Sequence, residues 1–222
     1  MSVQLPNDPA RDDVLAGRPA LWLNPNLKAN GIADQSLPIR AAQVKEAEEN
    51  WQLLAPVLET CFPELKASKG RIQSKLIEAE DLRGALGYGT SEYGRVFVKA
   101  DGDLPVAGSI KARGGVYEVF MHAKKMAEKR GILTPGGDIT VLVGEQARAL
   151  FAQHTIAVGS TGNLGLSVGI AARALGFRAV VHMSSDAKQW KVDRLTRLGV
   201  EVVQHKADYT TCLLYTSDAA DE

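Results

Sequence analysis

The sequence predicts an α/β fold in which a parallel sheet is flanked by helices. TIAVGS, FRAVVHMS and VEVVQH, between residues 155 and 205, are short β-branched segments that predict strands. The two stretches between them, TGNLGLSVGIAARALG and AKQWKVDRLTRLG, are typical of helices. Two βαβ units that share their middle strand give a parallel sheet with right-handed crossovers. In such sheets ligands bind beyond the carboxyl ends of the strands, which is where the loop STGNLG, 160–165, lies.

Helices are also predicted upstream of this sheet. Residues 41–62 carry apolar side chains at spacings of three and four, the pattern of an amphipathic helix. Residues 111–131 repeat the pattern and stop at Gly131, because glycine commonly follows a helix end. Weaker patterns predict a second helix at about 74–87 and a surface helix from about residue 142.

The remaining segments before the sheet are a strand, a loop and an arm. RVFVK, 95–99, is short and β-branched and predicts a strand, whereas the Gly, Asp and Pro content of ADGDLPVAGS predicts a loop. Residues 1–40 have few periodic apolar positions and are expected to form an irregular arm. We therefore expect a helical and irregular region over 1–92 and an α/β domain over 93–211.

The last residues, 212–222, require a separate interpretation. Their sequence, CLLYTSDAADE, resembles the translation of a transposon-end adapter used to prepare sequencing libraries. This segment is expected to be an artefactual tail without functional meaning, as fusion scars are. The natural chain is then expected to continue beyond Thr211. The alternative is a natural acidic tail.

Composition excludes several classes of protein. The chain has 222 residues, of which 45% are hydrophobic and 23% charged, ordinary values for a globular protein with a core. Because 26 basic and 26 acidic residues cancel, neither nucleic acid nor an anionic membrane is expected as a partner. No apolar stretch has membrane-spanning length, and the first residues lack signal or transit character. Cys61 and Cys212 alone predict no disulfide framework, no metal site and a reducing, cytoplasmic location.

Glycines in the loop after the first predicted strand suggest a dinucleotide site at first sight. Gly159, Gly162 and Gly165 follow G-x-x-G-x-x-G, and Asp186 lies near the end of the next strand, where a ribose-binding acid would be expected. The dinucleotide fingerprint requires G-x-G-x-x-G, so the likeness is superficial. Asp186 is expected instead to cap the helix that follows it.

Polar side chains lie between these glycines: Ser160, Thr161 and Asn163. Together with the backbone N–H groups of a helix start, they form a site suited to a carboxylate or phenolate oxygen. Helix capping by Ser160 or Thr161 is the alternative interpretation. Capping accounts for one such residue, and the combination of three polar side chains with three glycines favours a binding site.

Lys111 lies in GSIKARGG, 108–115, at the start of a predicted helix, where the partial positive charge of the free N–H groups disfavours a lysine. If this loop and STGNLG both leave parallel strands, they converge on one cleft at the edge of the sheet. Burial beside a helix start favours a neutral amine, the form that condenses with an aldehyde. A Schiff-base lysine is therefore predicted, and the alternative is an ordinary solvated lysine.

The pair GSIKARGG and AVGSTGNLGLSVGI resembles the pyridoxal-phosphate (PLP) enzymes of the tryptophan-synthase β fold, or fold type II. Within them it is similar to the D-serine dehydratase (D-serine ammonia-lyase) family. WLNPN, DLPVAG, YEVFMHAKKMA and HMSSDAKQWK extend the resemblance to most of residues 20–210. The L-serine and L-threonine dehydratases usually carry His or Gln in place of Leu164, and they lack the long N-terminal region.

This resemblance implies PLP as the cofactor and a role for each residue of the two motifs. Lys111 forms the Schiff base with the cofactor, and Asn163 hydrogen-bonds the cofactor's phenolic oxygen. Ser160, Thr161 and Gly162 receive the carboxylate of a small amino acid substrate. Lys111 is also the implied base, and Thr161 is a candidate for proton transfer on the other face.

The implied reaction is β-elimination, which converts D-serine to pyruvate and ammonia. The glycine-rich phosphate cradle and the partner of the pyridine nitrogen lie downstream in the family, so we expect a truncated, inactive part of an enzyme. A monomer is compatible with the resemblance. Two alternatives stay open: an L-serine or L-threonine dehydratase of the same fold, and a non-catalytic βαβ module that binds a nucleotide or a protein partner.

Overall fold

The computed structural model describes residues 10–24, 38–89 and 94–206. The expected artefactual tail, 212–222, lies outside the described residues. Contacts between Cα atoms divide the chain into two units, Met1–Lys45 and Glu46–Glu222. The expected domain boundary after residue 92 stays a prediction.

In the first unit the described part of the arm contains one short helix, α1 (Arg11–Leu15). Arg18 forms an ion pair with Asp13 at 2.7 Å, and the segment that follows to residue 24 has no regular structure. The large side chains of Leu21, Trp22 and Leu23 are exposed. The described part of the arm is thus largely irregular, as the sparse apolar pattern predicts.

The helix predicted over 41–62 is α2 (Ala41–Cys61), which buries Leu54, Val57 and Leu58. Pro56 lies inside this helix and cannot donate the backbone hydrogen bond of a normal helical residue. Thr60 Oγ1 donates to the carbonyl oxygen of Pro56 at 3.0 Å, one turn later. The structure thus confirms the helix that the amphipathic pattern predicts.

A helix over 74–87 is only half observed. Leu76–Glu78 forms a strand, β1, and only Glu80–Ala85 is helical, as α3. β1 pairs antiparallel with β2 (Phe97–Lys99), with Ile77 opposite Val98. The prediction failed at β1 because the backbone of these three residues finds its partner in a strand about 20 positions away, and tertiary pairing overrides a weak local preference.

The three predicted strands form a parallel sheet in the order β3-β4-β5, which confirms the two βαβ units. The strands and the helices that connect them are β3 (Thr155–Gly159), α6 (Asn163–Leu175), β4 (Arg178–Ser184), α7 (Gln189–Arg197) and β5 (Glu201–His205). α6 ends at Gly176, whose φ of +101° few other residues adopt. Val181 and Met183 of β4 are buried, as is Leu195 of α7.

Between β2 and this sheet lie α4 (Lys111–Lys129) and α5 (Glu145–Phe151). The predicted loop after β2 is confirmed, and α4 ends just before Gly131, which has a φ of +67°. The helix expected from about residue 142 begins three residues later, after a 3-10 turn at Ile139–Val143. It is more than a surface helix, because Phe151 is fully buried and stacks on Phe177 at 4.5 Å between ring centroids.

α4 and α6 pack side by side, and two contacts define their relative direction. A Cβ added at Gly115 would lie 2.9 Å from Cβ of Ser167. Farther along α4, the ring of His122 lies 6.3 Å from that of Phe177, just beyond the end of α6. Since both contacts advance in the same direction along the two helices, α4 and α6 run roughly parallel and begin at the same end. Within the described residues no helix is both long and apolar enough to cross a membrane.

Candidate functional site

Lys111 and Asn163 are the first residues of α4 and α6. Each lies one turn before the close contact between Gly115 and Ser167, so the two side chains start from the same end of the helix pair. The prediction that both loops leave parallel strands is wrong for Lys111, because β2 belongs to the antiparallel pair. Helix packing, rather than a shared sheet edge, brings the two motifs together.

The side chain of Lys111 is exposed in this chain, so the expected burial is wrong. Among the described residues no ion pair or hydrogen bond involves its Nζ. Its backbone N–H donates to Oγ of Ser109 at 3.3 Å, and the next residue, Ala112, is fully buried. The helix start is therefore anchored in the core while the amine lies at the surface.

Ser160 extends β3 by one residue, since its N–H donates to the carbonyl of His182 at 2.8 Å. The side chain is 5% exposed, and its Oγ accepts from the N–H of Gly162 at 3.3 Å. Gly162 is the residue that precedes α6, and no side chain caps this helix. Capping of α6 by Ser160 or Thr161, the alternative to a binding site, is therefore wrong.

Gly165 lets the loop fold back onto the first turn of α6. A Cβ at this position would lie 2.5 Å from the carbonyl oxygen of Ser160 and 2.8 Å from Cγ1 of Val181. Real Cβ atoms essentially never approach backbone oxygens so closely. Gly165, one of the three glycines that resemble a nucleotide fingerprint, thus serves close packing between the loop, the helix and β4.

The Thr161 side chain is bound to the end of β4. Its Oγ1 accepts from the N–H of Ser184 at 3.0 Å, and the two hydroxyl oxygens are 2.7 Å apart. Ser184 Oγ in turn donates to the carboxylate of Asp186. Because the single Ser184 proton is donated there, the Thr161 proton must be donated to Ser184 Oγ.

These contacts overturn one prediction, for Asp186, and bring a further residue, Ser184, into the candidate site. Asp186 does not cap α7, which begins after Lys188 without a side-chain cap, so that expectation is wrong. Ser184 is 6% exposed and was missed by the sequence analysis. Its position at the carboxyl end of a parallel strand was the available signal, because ligands of such sheets bind there.

Asn163 combines a supported backbone with a free side chain. Its carbonyl accepts from Oγ of Ser167 at 2.7 Å. The side chain is half-buried, and within residues 10–24, 38–89 and 94–206 no hydrogen bond to its amide is found. The amide can therefore donate to an oxygen of a ligand without giving up a protein contact.

A histidine pair lies on the neighbouring strands. Nδ1 of His182 is 2.8 Å from Nε2 of His205, and the rings are stacked. Burial lowers the pKa of His182, the nearby His205 lowers it further, and Glu201 opposes both effects. Since the carbonyl of His182 accepts from Ser160, the pair is connected to the loop through the backbone.

Comparisons with known proteins show the family to which the chain belongs. Residues 68–222 match the family described as "Pyridoxal-phosphate dependent enzyme". The chain is 62% identical over 221 residues to a probable D-serine dehydratase of Rhizobium etli, and 60% identical over 222 residues to one of Sinorhizobium medicae. Both alignments cover 100% of this chain but only 49% and 50% of those relatives, so the chain spans about half of their length.

Among solved structures, the apo form of Escherichia coli diaminopropionate ammonia lyase superimposes with a TM-score of 0.58. The sequences are 22% identical, and the superposition covers 79% of this chain and 42% of that one. This likeness supports the fold expected from the two motifs. With a family match over most of its length and this fold, the chain belongs to the pyridoxal-phosphate dependent enzymes of fold type II.

Proposed function

We propose that the complete protein is a D-serine dehydratase and that this chain provides its cofactor lysine and its substrate loop. The observation that carries the proposal is the position of Lys111 and Asn163 at the same end of two packed, parallel helices. The names of the curated relatives, at 62% and 60% identity over the whole chain, support D-serine as the substrate.

The residues present fit one side of the PLP ring. Lys111 has an exposed amine that no described residue binds, which suits the cofactor's aldehyde. The Asn163 amide donates to no other residue that the structure describes, which suits the phenolic oxygen beside that aldehyde. The N–H groups in the first turn of α6 have no side-chain cap and attract anionic oxygens.

Each group then has a separate task. When bound, PLP supplies an electron-accepting ring that stabilises the charge left at Cα after a proton is removed. Lys111 Nζ would bind the cofactor's aldehyde carbon and move the Cα proton on its own side. Asn163 would donate to the phenolic oxygen and orient the ring. The N–H of Thr161 and the hydroxyl of Ser160 would bind the substrate carboxylate, and Gly162 would join them if its N–H leaves Ser160 Oγ, whereas the N–H of Ser160 is already donated to His182.

Thr161 can take up a proton only while it gives its own to Ser184. Ser184 Oγ would then pass its proton to the carboxylate of Asp186, so that a proton received at Thr161 Oγ1 is balanced by one gained at Asp186. We therefore assign the carboxylate contact at this residue to its backbone, and proton transfer on the face opposite Lys111 to its side chain.

The overall reaction balances. D-serine loses the Cα proton and the β-hydroxyl group as water, one water molecule is added back, and the amino group leaves as ammonia. The net products are pyruvate and ammonia, with no external oxidant or reductant.

The test uses the complete protein with PLP. Keto-acid release is measured from D-serine, L-serine and L-threonine, and covalent cofactor is detected by its visible absorbance and by borohydride trapping. Lys111→Ala should abolish both signals, and Lys125→Ala, an exposed lysine of the same helix, should leave them intact. Release from the L enantiomers alone would indicate an L-specific dehydratase, and absence of covalent cofactor in the wild type would indicate a binding module.

A further inference from the structure

A strained turn lies five positions before Lys111. Val106 has a φ of +74°, which is exceptional for a β-branched residue. The N–H of Ala107 donates to the carbonyl of Pro105 at 3.0 Å, so Val106 is the central residue of a γ-turn of positive φ, a rare and strained conformation. Val106 is only 5% exposed, so the turn is part of the core rather than a loose surface loop.

Arg194 holds this turn from a distant part of the chain. Its Nη2 donates to the carbonyl oxygen of Val106 at 2.6 Å, across 88 positions of sequence. Arg194 lies in α7, and its side chain is half-buried. The bond therefore connects the loop that leads to Lys111 with the βαβ unit that carries Ser184.

Further hydrogen bonds connect the turn to the start of α4. The N–H of Gly108 donates to the carbonyl of Leu104 at 2.9 Å, which closes a wider turn around Val106. Ser109 Oγ then accepts from the N–H of Lys111 at 3.3 Å. Leu104 is buried as well, so little of this segment can move independently.

We propose that Arg194 is a positioning residue for Lys111. A positive φ at valine persists only where its surroundings over-determine it, and the Arg194 hydrogen bond is one such constraint. Without that donor, Val106 relaxes toward negative φ, and the direction in which the chain enters α4 changes. The placement of the Lys111 amine then changes with it. This inference rests on the proposed role of Lys111 as the cofactor lysine.

The first measurement is backbone amide exchange in the complete protein without cofactor. Arg194→Ala should accelerate exchange at Ala107 and Gly108 by about ten-fold or more, the effect expected from losing a hydrogen bond to a charged donor. Arg197→Ala is the matched control, because this exposed arginine of the same helix donates to Asp193 within α7. Arg194→Lys retains a donor and should restore part of the protection.

The second measurement is the rate at which PLP labels Lys111. The amine and the aldehyde lose water to form a C=N bond, borohydride reduces this bond to an amine, and peptide mapping locates the label. We expect labelling of Lys111 to be slowed several-fold in Arg194→Ala, about the factor of five to ten that corresponds to one net hydrogen bond. Labelling in Arg197→Ala should equal that of the wild type.

A double variant separates positioning from general stability. Glycine adopts positive φ without strain, so Val106→Gly removes the need for the anchor. Arg194→Ala should therefore slow labelling much less in the Val106→Gly background than in the wild type. The inference would be overturned if Arg194→Ala slowed labelling equally in both backgrounds. It would also be overturned if Arg194→Ala left amide exchange and labelling unchanged. If wild-type Lys111 is never labelled, the proposed function fails, and exchange at Ala107 still shows whether Arg194 holds the turn.

Discussion

The hydroxyl oxygens of Thr161 and Ser184 lie 2.7 Å apart, and their contact joins the loop after β3 to the end of β4. Thr161 donates its hydroxyl proton to Ser184 Oγ, and Ser184 donates its own proton to the carboxylate of Asp186. Thr161 is thereby oriented by two groups of Ser184, since the backbone N–H of the same residue also donates to Thr161 Oγ1. Ser184 therefore fixes the orientation of the Thr161 hydroxyl.

Ser184→Ala should weaken proton transfer while leaving the loop in place. The variant removes the acceptor of the Thr161 proton, but the backbone donor remains. We expect kcat for D-serine to fall by about ten-fold, the size of one hydrogen bond, with a smaller change in KM. Ser185→Ala, at an exposed neighbouring position, is the control. A variant that unfolds more easily but turns over D-serine normally would show that Ser184 is purely structural.

Gly165→Ala should destabilise the protein and disturb the loop. A methyl group there meets the Ser160 carbonyl at 2.5 Å, and overpacking of this kind costs about 1–3 kcal/mol. Gly114→Ala offers a contrast, because nothing lies within 4 Å of that position and alanine is the better helix former. Urea unfolding of both variants measures the difference. Equal stability of the two would contradict the close approach at Gly165.

Asn163 should affect the cofactor more than the fold. Asn163→Ala would remove the proposed hydrogen bond to the charged phenolic oxygen, on the order of 1.5–3 kcal/mol, and should weaken PLP retention and raise the pH midpoint of its visible absorbance. Asn163→Asp should do more damage, since a carboxylate would face the phenolic oxygen and like charges repel. Thermal unfolding of both variants without cofactor controls for folding. Normal PLP affinity in the Asp variant would remove Asn163 from the cofactor site.

The histidine pair should make stability depend on pH. Because burial lowers the pKa of His182, the unfolded chain binds a proton more readily than the folded one. This contribution to the free energy of unfolding is present above the ordinary histidine pKa and is lost as the pH falls through that pKa and on through the lowered pKa of His182. His182→Leu should flatten this slope in urea titrations. An unchanged slope, equal to that of a His154→Leu control, would assign the pH dependence to other groups.

Local patterns were sufficient for the parallel sheet and insufficient for the contacts between distant segments. β3, α6 and β4 were predicted because alternation and helical spacing are visible within short windows of sequence. β1 was missed because its partner β2 lies elsewhere in the chain, and pairing decided its conformation.

In the candidate site, too, residues within local motifs were predicted and residues that act through distant contacts were not. Lys111 and Asn163 were recognised from their motifs, and their placement at two helix starts agrees with the sequence pattern. Arg194 carries no local signal, and Ser184 carries only its position at the end of a predicted strand, since each acts through a residue many positions away. The strained Val106 could not be foreseen either, because valine is among the residues least suited to positive φ.

The tight contact between Gly115 and Ser167 also bears on how sequences of this family can change. A methyl group at 115 has no room while Ser167 keeps its side chain, and Ser167 cannot be lost without removing the hydroxyl that donates to the Asn163 carbonyl. Substitution at either position alone therefore harms either the spacing of α4 and α6 or the start of α6. We expect the two positions to vary as a pair among homologues. A smaller residue at 167 should arise before a larger residue at 115, so the two substitutions must occur in that order during evolution.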